Sequence, residues 1–248
     1  VCSTILSLNA EQNIVDCWNS GGNTIITRLL KNFGVSGKAI RVKEYFNVSG
    51  DWLKFGGNQI SPPKTDIIIG EYKISVKNSS NFQIVSGNIC EIRPLLFNIL
   101  SEAEIASLDI KLSKLLNNII IEKTIGWMKR HKCLPMILQS VDDIHQDLNK
   151  IFDEVPVKTK KDIMMEAFTG RKKFGENTIA SAEYSLMFGK YQHFDKIENI
   201  IDCLLPTKIS FSWKTRDRKN QDKKYFQTES ALRMRVRSSE IKKLYEKR

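Results

Sequence analysis

The chain has 248 residues, 41% of them hydrophobic and 27% charged, with a net charge of +11. That balance is ordinary for a globular domain, and no apolar run approaches the roughly 20 residues that cross a bilayer. The basic excess favours a polyanionic partner, most simply nucleic acid, with an anionic membrane surface as the alternative.

The N-terminal stretch VCSTILSLNA has no basic leader and is too short and polar for a secretory signal. A cytoplasmic or virion-associated protein is therefore expected, neither secreted nor transmembrane. The five cysteines (Cys2, Cys17, Cys90, Cys133, Cys203) and three histidines (His131, His145, His193) are scattered, with no CxxC. This argues against a disulfide framework or a structural zinc site. His131 and Cys133 have no second pair nearby and read as a surface histidine and a small core cysteine.

Helical spacing of Ile14, Val15 and Trp18, and then of Ile25, Ile26, Leu29 and Leu30, predicts helices over 8–18 and 23–32. Gly21-Gly22-Asn23 reads as the turn between them, with Asn23 as a candidate N-cap. Residues 38–47 and 51–55 alternate as strands do, and Pro62-Pro63 marks entry to another. The polar segment NSSNFQIVSGN (78–88) reads as a loop. Residues 91–100, 103–122, 136–153 and 157–168 are apolar at helical spacing and form a helical middle block (about 91–168). In this block Asp142 and Asp143, being adjacent, point in different directions on a helix, and His145 sits on a polar or boundary face. The loop TGRKKFGEN (169–177) leads to a helix-to-strand segment, TIASAEYSLMFGKY. KISFSWKT (208–215) and ALRMRVR (231–237) alternate as strands joined by a basic loop, and SSEIKKLYEKR reads as a closing helix. No repeat or low-complexity tract is present. The expected architecture is α/β in a single domain, a mixed central sheet flanked by helices with an additional C-terminal β-hairpin.

Residues 62–78, PPKTDIIIGEYKISVKN, contain two overlapping candidate signatures. Thr65–Ile69 and Tyr72–Lys77 read as strands joined by Gly70-Glu71, a two-residue loop whose leading Gly suits a type II′ turn. The register follows: Ile69 faces Tyr72, Ile68 faces Lys73, Ile67 faces Ile74 and Asp66 faces Ser75. Cross-strand partners share a face with Cβ atoms about 4.5–5.5 Å apart, and Lys77 lies two residues beyond Ser75 on the same face. Glu71, at the turn tip, stands well over ~10 Å from Asp66 at about 3.4 Å per residue. The literal Glu71-Tyr72-Lys73 is therefore the decoy, and Asp66, Ser75 and Lys77 converge.

An Asp at the start of one strand and an x-Lys pair on the next resembles the PD-(D/E)xK nuclease superfamily. That group includes restriction endonucleases, repair nucleases and phage nucleases. The match spans roughly residues 60–80, with Pro-Lys-Thr in place of the single Pro and Ser75 in place of the acidic residue. The resemblance implies that Asp66 ligates Mg²⁺ (Mn²⁺ as a substitute), with the Val76 carbonyl as a second ligand. It also implies that Lys77 orients the attacking water and stabilises the charged transition state. Ser75 binds metal weakly or through water, so a further carboxylate is needed. Glu11 on the first helix and Glu91 after the hairpin are the candidates, and Gln83 is placed to touch phosphate or metal-bound water.

The basic excess is concentrated in residues 207–248, with 14 Lys/Arg against 5 Asp/Glu, or +9 of the total +11. Arg216, Arg218, Lys219, Lys223 and Lys224 lie in the loop between the last two strands, near Trp213, Tyr225 and Phe226. Basic groups neutralise phosphates and aromatic rings stack on bases, although a solvated hairpin with inward-packed rings has the same composition. Arg233, Arg235 and Arg237 share one face by alternation, and Lys172 and Lys173 form a Gly-flanked basic loop that lacks the spacing of a nucleotide-binding P-loop. The function these features predict is a Mg²⁺-dependent DNA endonuclease of phage or restriction-system type, for which a homodimer would fit double-strand cutting. The alternative is a catalytically weak or inactive DNA-binding protein on the same scaffold, such as a packaging, DNA-end or virion component.

Overall fold

The structure is a computed structural model that describes residues 9–42, 47–54, 57, 59, 61–79, 82–87, 94–95, 146, 149–150, 152–205, 209–219, 226–236 and 241–242. Two helices come first, α1 (Ala10–Asn19) and α2 (Ile25–Asn32). In α1 the buried Ala10, Ile14, Val15 and Cys17 recur at helical spacing. α2 is capped by Thr24, one residue after the expected cap. The Thr24 side chain accepts the Thr27 amide while the Thr27 hydroxyl accepts the Thr24 amide, a reciprocal capping box.

Five strands follow in one mixed sheet, β1 (Ala39–Arg41), β2 (Ile67–Ile69), β3 (Tyr72–Asn78), β5 (Tyr184–Phe188) and β6 (His193–Lys196), in the order β1-β2-β3-β5-β6. β1, β2 and β3 form an antiparallel meander, β3 and β5 run parallel, and β5 and β6 are antiparallel. A parallel pair needs a crossover, usually helical. Within the connection from β3 to β5 lies α4 (Val157–Thr169), which matches the helix expected over 157–168.

Alternation divides the sheet into two faces. Ile67, Ile69, Ile74, Leu186, Phe188 and Phe194 turn one way and pack with Ile14, Val15, Ile26 and Leu30 of the first two helices. Lys77 lies on the opposite face from Ile74, and its ammonium sits over the ring of Phe168 on α4. Helices thus cover both faces, and the charged residues of β3 look toward α4. A second sheet of three strands, β4 (Gln83–Gly87), β7 (Ile209–Lys219) and β8 (Phe226–Val236), has the order β4-β8-β7 with both pairs antiparallel. It reaches α4 through Phe82, whose ring lies 5.7 Å from that of Phe168.

Several elements differ from the sequence expectation. Residues Gly50–Lys54 form a helix, α3, not a strand. Ser49 caps it by accepting the Trp52 amide, and Trp52 is buried, so a cap followed by Asp51 outweighed a short alternation. Part of the expected 78–88 loop is β4, and Phe82 just before it and Ile84 within it are buried despite the Ser and Gly around them. Within the 169–177 loop, Arg171–Phe174 form a short helix, α5. The segment before β5 has turns where a helix was expected. β6 and α6 (Ile197–Leu204) escaped the sequence reading because each is short and they follow one another without a break. β7 and β8 run to Lys219 and from Phe226, so Arg216, Arg218 and Lys219 are strand residues rather than loop residues. Apart from a few positions, the middle block over 91–153 lies outside the described residues, as do His131, Cys133, Asp142, Asp143 and His145. Of the closing helix only Ile241 and Lys242 are described, and they are helical.

Gly70 carries φ 58, as the first position of a type II′ turn requires, while Glu71 does not have positive φ. A Cβ at Gly70 would also collide with the Ser36 carbonyl oxygen. Gly70→Ala should therefore destabilise the protein by about 1–3 kcal/mol, the cost of a strained backbone position. Urea denaturation would read this as a lower midpoint, and an unchanged midpoint would show that the turn relaxes freely.

Candidate active site

The β2–β3 register is the one the turn dictates: Ile69 opposite Tyr72, Ile68 opposite Lys73 and Ile67 opposite Ile74. Asp66 stands one residue before β2, but its backbone is held on both sides. Its amide donates to the Ile74 carbonyl at 2.9 Å and its carbonyl accepts the Val42 amide at 2.9 Å. This anchoring aims the carboxylate across the strand pair. Oδ2 accepts the Ser75 hydroxyl at 3.1 Å and the Val76 amide at 2.6 Å. The described residues offer no hydrogen-bond partner for Oδ1.

Burial holds the Asp66 carboxyl above the usual aspartate range, against the pull of the nearby Lys77 ammonium. Hydrogen bonds from Val76 and Ser75 also favour the anion, while the negative charge of Glu11 opposes it. Ser75, Lys77 and Glu11 thus all act on the Asp66 carboxyl. Ser75, fully buried, serves as a donor to Asp66. The Lys77 ammonium stands 5.6 Å from the centre of the Phe168 ring, a favourable cation–π placement that limits its wandering.

Glu11 lies in the first turn of α1, where the helix dipole favours an anion. Its Oε2 pairs with Arg41 Nε at 2.6 Å, both side chains being about a quarter to a third exposed. Of the two acidic groups considered to compensate for Ser75, Glu11 is near enough for its charge to act on Asp66 but is bonded to Arg41, and Glu91 lies outside the described residues. Among the described residues no three His, Cys, Asp or Glu side chains gather as a cage for a metal. Magnesium needs no such cage, since it binds through one or two carboxylates and keeps several waters. An Asp66 oxygen without a partner among the described residues fits that ion as one ligand, with the Val76 carbonyl as a further candidate.

The decoy signature has structural work instead. Glu71 is exposed at the turn. Lys73 pairs with Glu183 at 2.6 Å and donates to the Thr178 carbonyl at 3.3 Å, tying the turns before β5 to β3.

Lys172 and Lys173 do not form the paired phosphate-binding loop expected of them. Lys172 is exposed, but Lys173 is buried, with its ammonium bonded to the Ser61 hydroxyl and lying over the rings of Trp52 and Phe174. The amides of both lysines donate to the buried Glu166 carboxylate, at 2.7 and 2.9 Å. Burial raises the Glu166 pKa, against these two bonds and the charges of Lys64 and Lys172. Gln83 is on β4 opposite Arg235, in the second sheet. Arg233 pairs with Ser86 by register, and Arg216 and Arg218 lie on β7 opposite Glu229 and Gln227. Lys219 ends β7, opposite Phe226. Lys223, Lys224 and Arg237 lie outside the described residues. Arg41, Phe168 and Glu166 were missed at the sequence level. Glu166 is one acidic residue in an otherwise unremarkable helix, and Arg41 becomes significant only when α1 packs beside β1.

The raised Asp66 pKa has a definite sign. The folded protein holds this proton more tightly than the unfolded chain, so the associated stability is present below the ordinary aspartate pKa. It is lost as pH rises through the higher folded value. Asp66→Asn keeps an oxygen acceptor for Val76 and Ser75 without the buried charge. It should melt above wild type at pH 7, with the gap closing as pH falls below about 4. Melting curves across pH would check this, and a variant less stable than wild type at pH 7 would contradict it.

No protein-family model, no curated protein and no solved structure matches the chain.

Proposed function

We propose that this chain is a Mg²⁺-dependent DNA endonuclease of the PD-(D/E)xK type. The observation that carries the reading is the shared face of Asp66, Ser75 and Lys77 on the β2–β3 pair, with Asp66 bonded to Ser75 and its Oδ1 without a hydrogen-bond partner among the described residues. Bound there, a divalent cation would polarise the scissile phosphate and lower the pKa of an attacking water. Asp66 is the carboxylate to hold it. Lys77 opposes the charge that develops on the phosphate oxygens, a role suited to a cation steadied by an aromatic ring instead of a fully solvated one. Burial of Asp66 strengthens its interactions by lowering the local dielectric.

The basic C-terminal region supports DNA as the partner. Residues 207–248 carry +9, and β8, which bears Arg233 and Arg235, borders β4. β4 follows Phe82, and the Phe82 ring meets Phe168, over which Lys77 sits. The basic strand and the candidate centre are thus linked through a short packed path. The mixed sheet with helices on both faces is consistent with a restriction-endonuclease-like scaffold.

A second reading, an inactive DNA-binding protein on the same scaffold, draws on a specific observation. Asp66 Oδ2 already satisfies the Val76 amide and Glu11 already pairs with Arg41, so both carboxylates have structural uses. Plasmid nicking separates the readings. The nuclease requires nicking that depends on Mg²⁺ or Mn²⁺ and falls on the order of 10²-fold or more in Asp66→Ala and Lys77→Ala. Salt-sensitive DNA binding without cleavage by the wild type would support the inactive binder.

A further inference from the structure

The second sheet carries a ribbon that outruns its support. β7 and β8 pair along their whole length, from Ile209 opposite Val236 to Lys219 opposite Phe226. β4 borders β8 only over Leu232–Arg235. From Lys214 opposite Ala231 outward the ribbon is two strands wide, and no other described strand flanks it. At about 3.4 Å per residue this outer part spans about 20 Å. Alternation gives the ribbon two unlike faces. Met234 is fully buried, and Phe211, Trp213 and Leu232 share its face by register. The opposite face holds Arg233 and Arg235 and, further out, Lys214, Arg216 and Arg218. Within these strands its one acidic position is Glu229, opposite Arg216, and Gln227 stands opposite Arg218. On the Met234 face the only charges, Asp217 and Lys219, cancel. Charges along a free edge discourage pairing with another chain, but that effect does not need them gathered on one face.

We propose that the outer part of β7–β8 enters the major groove of duplex DNA and reads base sequence there. The proposal rests on DNA as the partner, and it holds whether the chain cleaves that DNA or only binds it. A B-form major groove, about 12 Å wide, admits a two-stranded ribbon, whereas the A-form groove of duplex RNA is too deep and narrow. The residue types on the polar face are those that match base edges. Arginine pairs with guanine O6 and N7, glutamine with adenine N6 and N7, and a carboxylate accepts from cytosine N4. Arg216, Arg218, Gln227 and Glu229 fill these roles. Arg233 and Arg235, nearer β4, neutralise phosphates, which fixes the ribbon's register on the duplex without selecting a sequence.

The test is selection of preferred sites from a randomised DNA duplex by the full chain, with Ca²⁺ in place of Mg²⁺ to limit cleavage. Fluorescence anisotropy then compares the selected duplex, a scrambled duplex and an RNA duplex of the selected sequence. Wild type should prefer the selected duplex to the scrambled one on the order of 10²-fold or more, and should bind the RNA duplex no better than the scrambled DNA. Arg218→Lys keeps the charge but loses the two-pronged donor. It should bind the selected duplex about tenfold more weakly and the scrambled one as before. Gln227→Ala should do the same from the other strand, which keeps the test open should one variant fold poorly. Arg235→Ala should weaken both DNA duplexes alike and reduce the salt slope by about one. Thr228→Ala, on the Met234 face, should change neither. A solvated ribbon whose charges only blunt its edges predicts equal affinity for the selected and scrambled duplexes, or a preference that Arg218→Lys and Gln227→Ala leave intact. Either result overturns the proposal, as does the same preference on the RNA duplex, or binding to phosphatidylserine vesicles with none to DNA. Nicking is read separately. A sequence preference without Mg²⁺-dependent nicking by wild type sinks the nuclease and leaves the ribbon standing, and nicking without a preference does the reverse.

Discussion

The Asp66 carboxylate bonds the Val76 amide just where β2 ends and β3 continues. β2 is three residues long and β3 is seven. Past Ile74, β3 has no further β2 residue opposite it, and the Asp66 side chain supplies the acceptor that a longer strand would have supplied. The backbone of Asp66 is itself clamped between Ile74 and Val42. The same residue therefore finishes the ladder and places a charge at its end. Lys77, beyond it on β3, is held by pairing with Met187 of β5 on the other side.

Holding charges in this position opposes stability. Burial makes the ionised Asp66 costly, and Glu11 adds to the cost, while Lys77 and two hydrogen bonds offset part of it. Nearby groups avoid the same difficulty by complete satisfaction. Glu166 gives one oxygen to each of two backbone amides, and Lys73 has both an acidic partner and a carbonyl. Asp66 differs in keeping one oxygen unengaged. Buried polar groups are ordinarily paired, and the buried hydroxyls of Thr65 and Ser185, either side of this strand pair, are exceptions among the described residues. A path of rings from Lys77 through Phe168 to Phe82 joins this spot to the second sheet.

Much of the local structure was legible because it follows from short-range chemistry. The Gly70-Glu71 loop has one turn geometry that suits its twist, and that turn sets every pairing up to Ile67 and Ile74. The first two helices and α4 were readable from spacing, because each buries one face. The failures share a cause. α3 and β4 are short, and their identity depends on what Trp52, Phe82 and Ile84 are buried against, which periodicity over a few residues does not contain. Lys173 was misread for the same reason: a basic residue flanked by glycines looks solvated until Ser61, Trp52 and Phe174 are found around it.

By itself, then, the sequence determined the hairpin, the rejection of Glu71-Tyr72-Lys73 and the convergence of Asp66, Ser75 and Lys77. Pleat alternation and a two-residue turn leave no other arrangement for residues so close along the chain. Only the tertiary structure decided that Arg41 holds Glu11, and that Phe168 lies under Lys77. Those residues come from α1, β1 and α4, far apart in sequence. Their meeting depends on which helix covers which face of the sheet, a choice made by burial of whole apolar surfaces and not by any local pattern.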